Sequence, residues 1–151
     1  MTDLVRLLAY SEPNEPNKHR THKAIHLMPP KILIVDDEQN IVIPLQFLME
    51  QNGYSTLVAR SGEEALEMIS KERPDLILLD IMLPGVDGFE VCEIVRLNPK
   101  WRNTRVIFLT AKGRDVDIAK GMVLGADEYI TKPFSNQQII DAVKRLLEEP
   151  E

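Results

Sequence analysis

The stretch Pro74–Gly88, PDLILLDIMLPGVDG, sets an unbroken apolar run, Leu76-Ile77-Leu78-Leu79, directly against a carboxylate, Asp80, followed by a turn shaped by Pro84 and Gly85. Four apolar residues without alternation suit a strand covered on both faces, the habit of parallel sheets. Asp80 then stands at the carboxyl end of a buried strand. A polar residue there can simply mark where the strand stops, or the strand can exist to hold the carboxylate. The flanking segments separate these readings.

Working outward, further strand-length apolar runs fall at Ile32–Val35, Thr56–Ala59, Val106–Leu109 and Glu128–Ile130. Helical periodicity predicts helices over Asn40–Asn52, Gly62–Lys71, Gly88–Leu97, Asp115–Leu124 and Asn136–Glu148. In the last, Ile139, Ile140, Val143, Leu146 and Leu147 form one apolar stripe. Ser61 and Ser135 sit where N-caps belong, and Gly53 and Gly125 where helices end. Strand and helix alternating five times predict an α/β protein, with a parallel sheet covered on both faces. Pro44 falls inside the first predicted helix, where it removes a backbone hydrogen bond and is expected to kink it.

The 151 residues suffice for one domain, and an apolar fraction of 44% suffices for its core. The first 30 residues stand apart. They contain no glycine, four prolines (Pro13, Pro16, Pro29 and Pro30) and all three histidines, and SEPNEPNKHRTH has a composition suited to disorder. We therefore divide the chain into an N-terminal extension, residues 1–30, and a folded domain, residues 31–151. His22 and His26, four apart, are read as part of a polar tail rather than as metal ligands. Met28, just before the first strand, is a candidate native start. The extension carries four basic and three acidic side chains, a net of +1, so with a chain total of −6 the other 121 residues carry −7. A domain so acidic does not suit a phosphate backbone, and one without histidine excludes Ser/His/Asp and Cys/His mechanisms. Cys92, the only cysteine, is read as a core residue, and Trp101 as cover for a loop edge. No run approaches the length of a membrane span. The expectation is a cytoplasmic protein.

In an open α/β sheet, ligands bind beyond the carboxyl ends of the strands. The residues there are Asp36, Asp37 and Glu38 after the first apolar run, Asp80 after the third, Thr110 after the fourth, and Thr131 and Lys132 after the fifth. Clustered carboxylates offer oxygen ligands to a hard cation, best Mg2+. A lysine supplies a point charge, and a threonine a hydrogen bond, for phosphoryl oxygens. A carboxylate can act as nucleophile toward phosphorus, and Asp80, from the middle of the sheet, is the best candidate. Glu38 is read as an acid at a helix N-terminus rather than as part of the metal shell.

The segments ILIVDDE, LILLDIMLPGVDG, VIFLTAKG and GADEYITKPF, in this order, resemble the four motif regions of the response-regulator receiver domain of two-component signalling, over about residues 31 to 148. The resemblance implies a flavodoxin-like, doubly wound five-stranded sheet of order 2-1-3-4-5 with five helices. It implies Asp80 as phosphoacceptor, and Asp37 as direct and Asp36 as water-mediated Mg2+ ligand. Met82 would lend the metal a backbone carbonyl. Thr110 and Tyr129 would be switch residues, Lys132 the phosphate-binding lysine, and Lys132–Pro133 a cis bond. Implied partners are a sensor histidine kinase or histidine phosphotransfer protein, and a downstream protein on the face of the fourth helix, fifth strand and fifth helix. A phosphorylation-dependent dimer is a further expectation; direct nucleic-acid or membrane contact is not.

Because the final helix is followed at once by Pro150, we expect a single-domain regulator, the alternative being the N-terminal receiver of a longer DNA-binding transcription regulator. An aspartyl phosphatase would need a second acid two positions after its nucleophile, where this chain has Met82. A flavin or nucleotide binder would need a glycine-rich phosphate loop, which is missing. The positions that tune self-dephosphorylation in receivers, two after the phosphoacceptor and two after the threonine, hold Met82 and Lys112. Neither orients water, so the expectation is a slow loss of the phosphoryl group.

Overall fold

The protein is described from a computed structural model, in which residues 28–148 are placed well enough to describe. The His22/His26 pair, the rest of the extension before Met28, and Pro150 lie outside them. Among the described residues, five strands, β1 (Lys31–Val35), β2 (Ser55–Ala59), β3 (Leu76–Leu79), β4 (Arg105–Thr110) and β5 (Glu128–Thr131), alternate with five helices. The helices are α1 (Gln39–Gln51), α2 (Gly62–Glu72), α3 (Gly88–Leu97), α4 (Asp115–Val123) and α5 (Asn136–Glu148). All pairings are parallel and the order is β2-β1-β3-β4-β5, the expected doubly wound fold.

The sheet separates two cores. On one face α1 and α5 contribute Val42, Leu45, Met49, Ile139, Ala142 and Val143 against Ile34, Leu78 and Ile107. On the other, α2 and α3 contribute Ala65, Ile69, Val91, Cys92 and Val95 against Leu33, Ile77 and Val106. Successive residues of β3 therefore face opposite cores, and all four are buried. This is why the run has no polar alternation. The edge strands β2 and β5 are only partly buried.

Local signals explain most boundaries. Ser61 accepts a hydrogen bond from the Glu64 N–H, and Ser135 one from the Gln138 N–H. Gly53 and Gly125 take positive φ, 93° and 107°, just past their helices. The Asp87/Glu90 capping box at the start of α3 was not anticipated, although Asp-x-x-Glu ahead of an apolar run carries that signature. Arg73 closes α2 in the left-handed region at φ 49°, where glycine is more usual. Pro44 does not interrupt α1, which runs as one helix of 13 residues with Pro44 on its exposed side. Water can there satisfy the carbonyl that loses its partner. Cys92 is fully buried, and Trp101 packs partly buried against the α2/α3 core, both as expected.

The loop after β3 is held tightly from behind. A Cβ on Gly88 would stand 2.3 Å from the Asp80 carbonyl oxygen, and one on Gly62 2.0 Å from that of Val86. Glu63 of α2 also accepts the Val86 N–H at 3.2 Å. Because these contacts are to backbone, Gly88→Ala should destabilise the protein by about 1–3 kcal/mol, the usual cost of overpacking. The measurement is a lowered urea midpoint in equilibrium unfolding.

Candidate functional site

The sheet order decides which strand ends meet. Val35 pairs with Leu79, so Asp36 and Asp80, one residue beyond each, lie side by side at the point where the order reverses. Both continue the ladder before the chain turns away: the Asp36 N–H donates to the Ala59 carbonyl at 3.1 Å and the Asp80 N–H to that of Val35 at 3.0 Å. Each carboxylate thus hangs from backbone still held as strand. Thr110 is the last residue of β4, fully buried and paired with Thr131, and the Lys132 N–H donates to the Thr110 carbonyl at 2.8 Å.

The Lys132 ammonium crosses the rim and joins the strand ends. It donates to Asp36 Oδ2 at 2.9 Å, Asp80 Oδ2 at 3.3 Å and Glu38 Oε1 at 3.3 Å. The other aspartate oxygens are also engaged: Asp36 Oδ1 accepts the Glu38 N–H at 2.9 Å, and Asp80 Oδ1 the Met82 N–H at 3.2 Å. Oxygens of Asp36, Asp37 and Asp80 all lie within 4.8 Å of one another, Asp37 being the exposed member. Three hard oxygen donors so close, on a rim with an excess of negative charge, fit a divalent cation such as Mg2+.

That excess sets the electrostatics. Burial raises the Asp36 carboxyl above its ordinary pKa, outweighing the Glu38 backbone bond and Lys132, and the Asp80 charge adds to the rise. For Lys132, burial acts downward, but the Asp36 hydrogen bond and the charges of Asp80 and Asp36 outweigh it and the net shift is upward. An acid and a base both rising is coherent: one cation among three carboxylates leaves surplus negative charge, which favours the protonated form of each.

Beside this cluster, the backbone of Lys112 joins two further residues. Its N–H donates to Thr110 Oγ1 at 3.3 Å, and its carbonyl accepts the Tyr129 hydroxyl at 2.6 Å. The Tyr129 ring lies 5.6 Å from that of Phe108 and against Gly121 of α4. Burial, then the charges of Asp117 and Asp80, push the Tyr129 hydroxyl up to about 12. In α4 only Asp117 and Gly121 are buried, and Asp117 is paired with Arg114 at 3.1 Å. Val116, Met122 and Val123 are exposed. A cleft of about 480 Å3, lined in part by Met82, Lys112 and Arg114, adjoins the carboxylate cluster; Asp36, Asp37 and Asp80 do not line it.

The structure therefore gathers Asp36, Asp37, Asp80 and Lys132 at one point. Thr110 and Tyr129 stand beside it, joined through Lys112. Met82, two residues after Asp80, is 55% exposed, and the Lys132–Pro133 bond is cis as expected. Glu38 differs from its expected role. It is the N-cap residue of α1, but its side chain makes no capping bond and turns to Lys132 instead. Neither that contact nor the Lys112 bridge has a sequence signal, since each depends on strands brought together only by folding.

The sequence matches the family model of the response regulator receiver domain over residues 32–144. It is 46% identical over 121 residues to the alkaline phosphatase synthesis transcriptional regulatory protein PhoP of Bacillus subtilis, covering 80% of this chain and 50% of that protein. The chain thus spans about half the length of this curated relative. Among solved structures, the receiver domain of the Francisella response regulator 1452 is 38% identical with a TM-score of 0.72, covering 78% of this chain and 95% of that one. The BeF3-activated N-terminal receiver domain of Klebsiella pneumoniae RstA is 29% identical with a TM-score of 0.73, covering 79% and 99%.

Because the folded state favours a neutral group at position 36, Asp36→Asn should raise the urea midpoint in Mg2+-free buffer. The sign follows from the raised pKa: its stabilising contribution is complete below the ordinary carboxylate pKa and is lost as pH rises through the folded value. The same substitution should weaken Mg2+ binding, read by titration calorimetry, by about tenfold or more.

Proposed function

The chain belongs to the response regulator receiver domain family, and on that premise we propose that Asp80 accepts a phosphoryl group from a phosphohistidine. The donor is a sensor histidine kinase or a histidine phosphotransfer protein. The observation that carries this reading is the Lys132 ammonium within hydrogen-bond reach of both Asp36 and Asp80, next to three carboxylates close enough to share a cation. Such a rim can hold a phosphoryl group between a nucleophile, a fixed positive charge and a metal.

In the proposed reaction an Asp80 oxygen forms the new O–P bond. The P–N bond to the imidazole breaks, and its electron pair stays on the ring nitrogen. Lys132 donates to a phosphoryl oxygen, supplying charge stabilisation where charge develops. Thr110 Oγ1 accepts from the Lys112 N–H and so keeps its own proton available for a second phosphoryl oxygen. Asp36, Asp37, Asp80 and the Met82 carbonyl would hold Mg2+, which when bound neutralises charge on the transferring group.

The switch follows from Lys112. If Thr110 swings toward the phosphoryl group it releases the Lys112 N–H, on the same residue whose carbonyl anchors Tyr129. Tyr129 packs against Gly121, so its rotation changes how α4 seats on the sheet. With so little of α4 buried, that adjustment is inexpensive. The altered face of α4, β5 and α5 would dock a downstream protein or a second copy. Receiver domains are signalling domains; this one would turn over nothing beyond its own phosphorylation and dephosphorylation, in the cytoplasm, without direct nucleic-acid contact. Among the described residues no helix is long and apolar enough to cross a membrane.

Incubation with acetyl phosphate and Mg2+ should yield a base-labile acyl phosphate that maps to Asp80 and is missing in Asp80→Asn. Lys132→Ala should slow its formation roughly a hundredfold. Sustained release of phosphate without a labelled protein would refute the reading. Met82 and Lys112 offer no acid or amide to orient water, so the phosphorylated protein should decay with a half-life of minutes or longer, followed by intact-protein mass.

A further inference from the structure

We infer that Glu38 is a positioning residue, which shares the Lys132 ammonium with the two buried aspartates and gives it up when a phosphoryl group arrives. The inference rests on the phosphoacceptor reading above and adds a residue to it. An ammonium has three N–H donors, and here three carboxylates, those of Asp36, Glu38 and Asp80, lie within 3.3 Å of Nζ. All three donors have an acceptor, so a phosphoryl oxygen can gain Lys132 only by displacing one.

The three acceptors are not equivalent. The side chains of Asp36 and Asp80 are 3% and 6% exposed, whereas that of Glu38 is 56% exposed. A buried carboxylate that loses this hydrogen bond has little access to water in exchange, while an exposed one is rehydrated at once. Glu38 is therefore the exchangeable partner. Its place in the chain supports this. As the N-cap residue it could have bonded to the first turn of α1, yet it makes no such bond, and that turn holds no other acid. Its backbone N–H meanwhile braces Asp36 Oδ1. Its backbone N–H and side chain thus serve the Lys132 cluster, while its carbonyl accepts the Ile41 and Val42 N–H groups that start α1.

Two opposite effects follow. The Glu38 charge adds to the potential that draws a divalent cation to the rim. The same charge repels an incoming phosphodonor and occupies one lysine donor. Removing it should weaken Mg2+ binding and, once Mg2+ is saturating, speed phosphorylation. A residue needed only for folding would lower both.

The test uses the full chain with Glu38→Gln and Glu38→Asp. It reads the Mg2+ dissociation constant by titration calorimetry, the urea midpoint, and the rate of Asp80 phosphorylation by acetyl phosphate at saturating Mg2+. Glu38→Gln should raise the dissociation constant about twofold or more and the rate about threefold, as expected for one partly exposed charge a few ångströms away. Its urea midpoint should stay near that of the wild type. Glu38→Asp keeps the charge on a shorter side chain, so it should retain Mg2+ affinity and gain a smaller rate increase. A labelled wild type with a Glu38→Gln rate equal or lower overturns this inference and leaves the phosphoacceptor reading intact. A wild type that takes up no phosphoryl group overturns both.

Discussion

One ammonium holds the rim of this sheet together. Asp36 and Asp80 are buried carboxylates on adjacent strand ends, and without a counter-charge their repulsion and desolvation would oppose folding. Lys132 meets both, and Glu38 as well, from the far side of the sheet. It can do so because β5 continues straight from its pairing with β4, with the Lys132 N–H bonded to the Thr110 carbonyl. The compensation is incomplete, and the surplus negative charge makes the site suited to a cation.

The two sides of the site differ in stiffness. On the β1/β3 side the carboxylates hang from laddered backbone, and the loop after Asp80 is pressed against Gly62, Glu63 and Gly88 with no room for a side chain. On the β4/β5 side Thr110 and Tyr129 share a single intermediary, the Lys112 backbone, and α4 buries only Asp117 and Gly121. A rigidly held carboxylate beside a loosely seated helix suits the proposed phosphorylation switch: one side would define the chemistry and the other could respond to it.

At the edge away from the site, Arg96 of α3 donates to the carbonyls of Gly125 and Thr104 and to Asp127, which also accepts the Val106 N–H. This clamp ties the loop after α4 to α3 and the start of β4. It fixes the loop that follows α4, beyond the Gly121 face that meets Tyr129. Nothing in the local sequence marks Arg96 for this role, because its partners lie up to 31 residues away.

The sequence by itself determined the element types and placed their boundaries to within one residue, because continuous apolar runs and 3.6-residue periodicity are imposed by burial against a sheet and survive in one dimension. It also determined the donor set at the strand ends, since a residue following a buried strand must emerge at that rim. Only the tertiary structure decided which strand ends are neighbours and where flexible side chains reach. Glu38 looked like an acid for its own helix and instead bonds Lys132, 94 residues on. Lys112, read from the sequence only as a position that tunes loss of the phosphoryl group, bridges Thr110 and Tyr129 through its backbone. Both outcomes turn on competition between a local and a distant partner, and the distant one wins when folding places a buried charge or a fixed hydroxyl within 3.3 Å. That proximity is a property of the sheet order, β2-β1-β3-β4-β5, and not of any segment read alone.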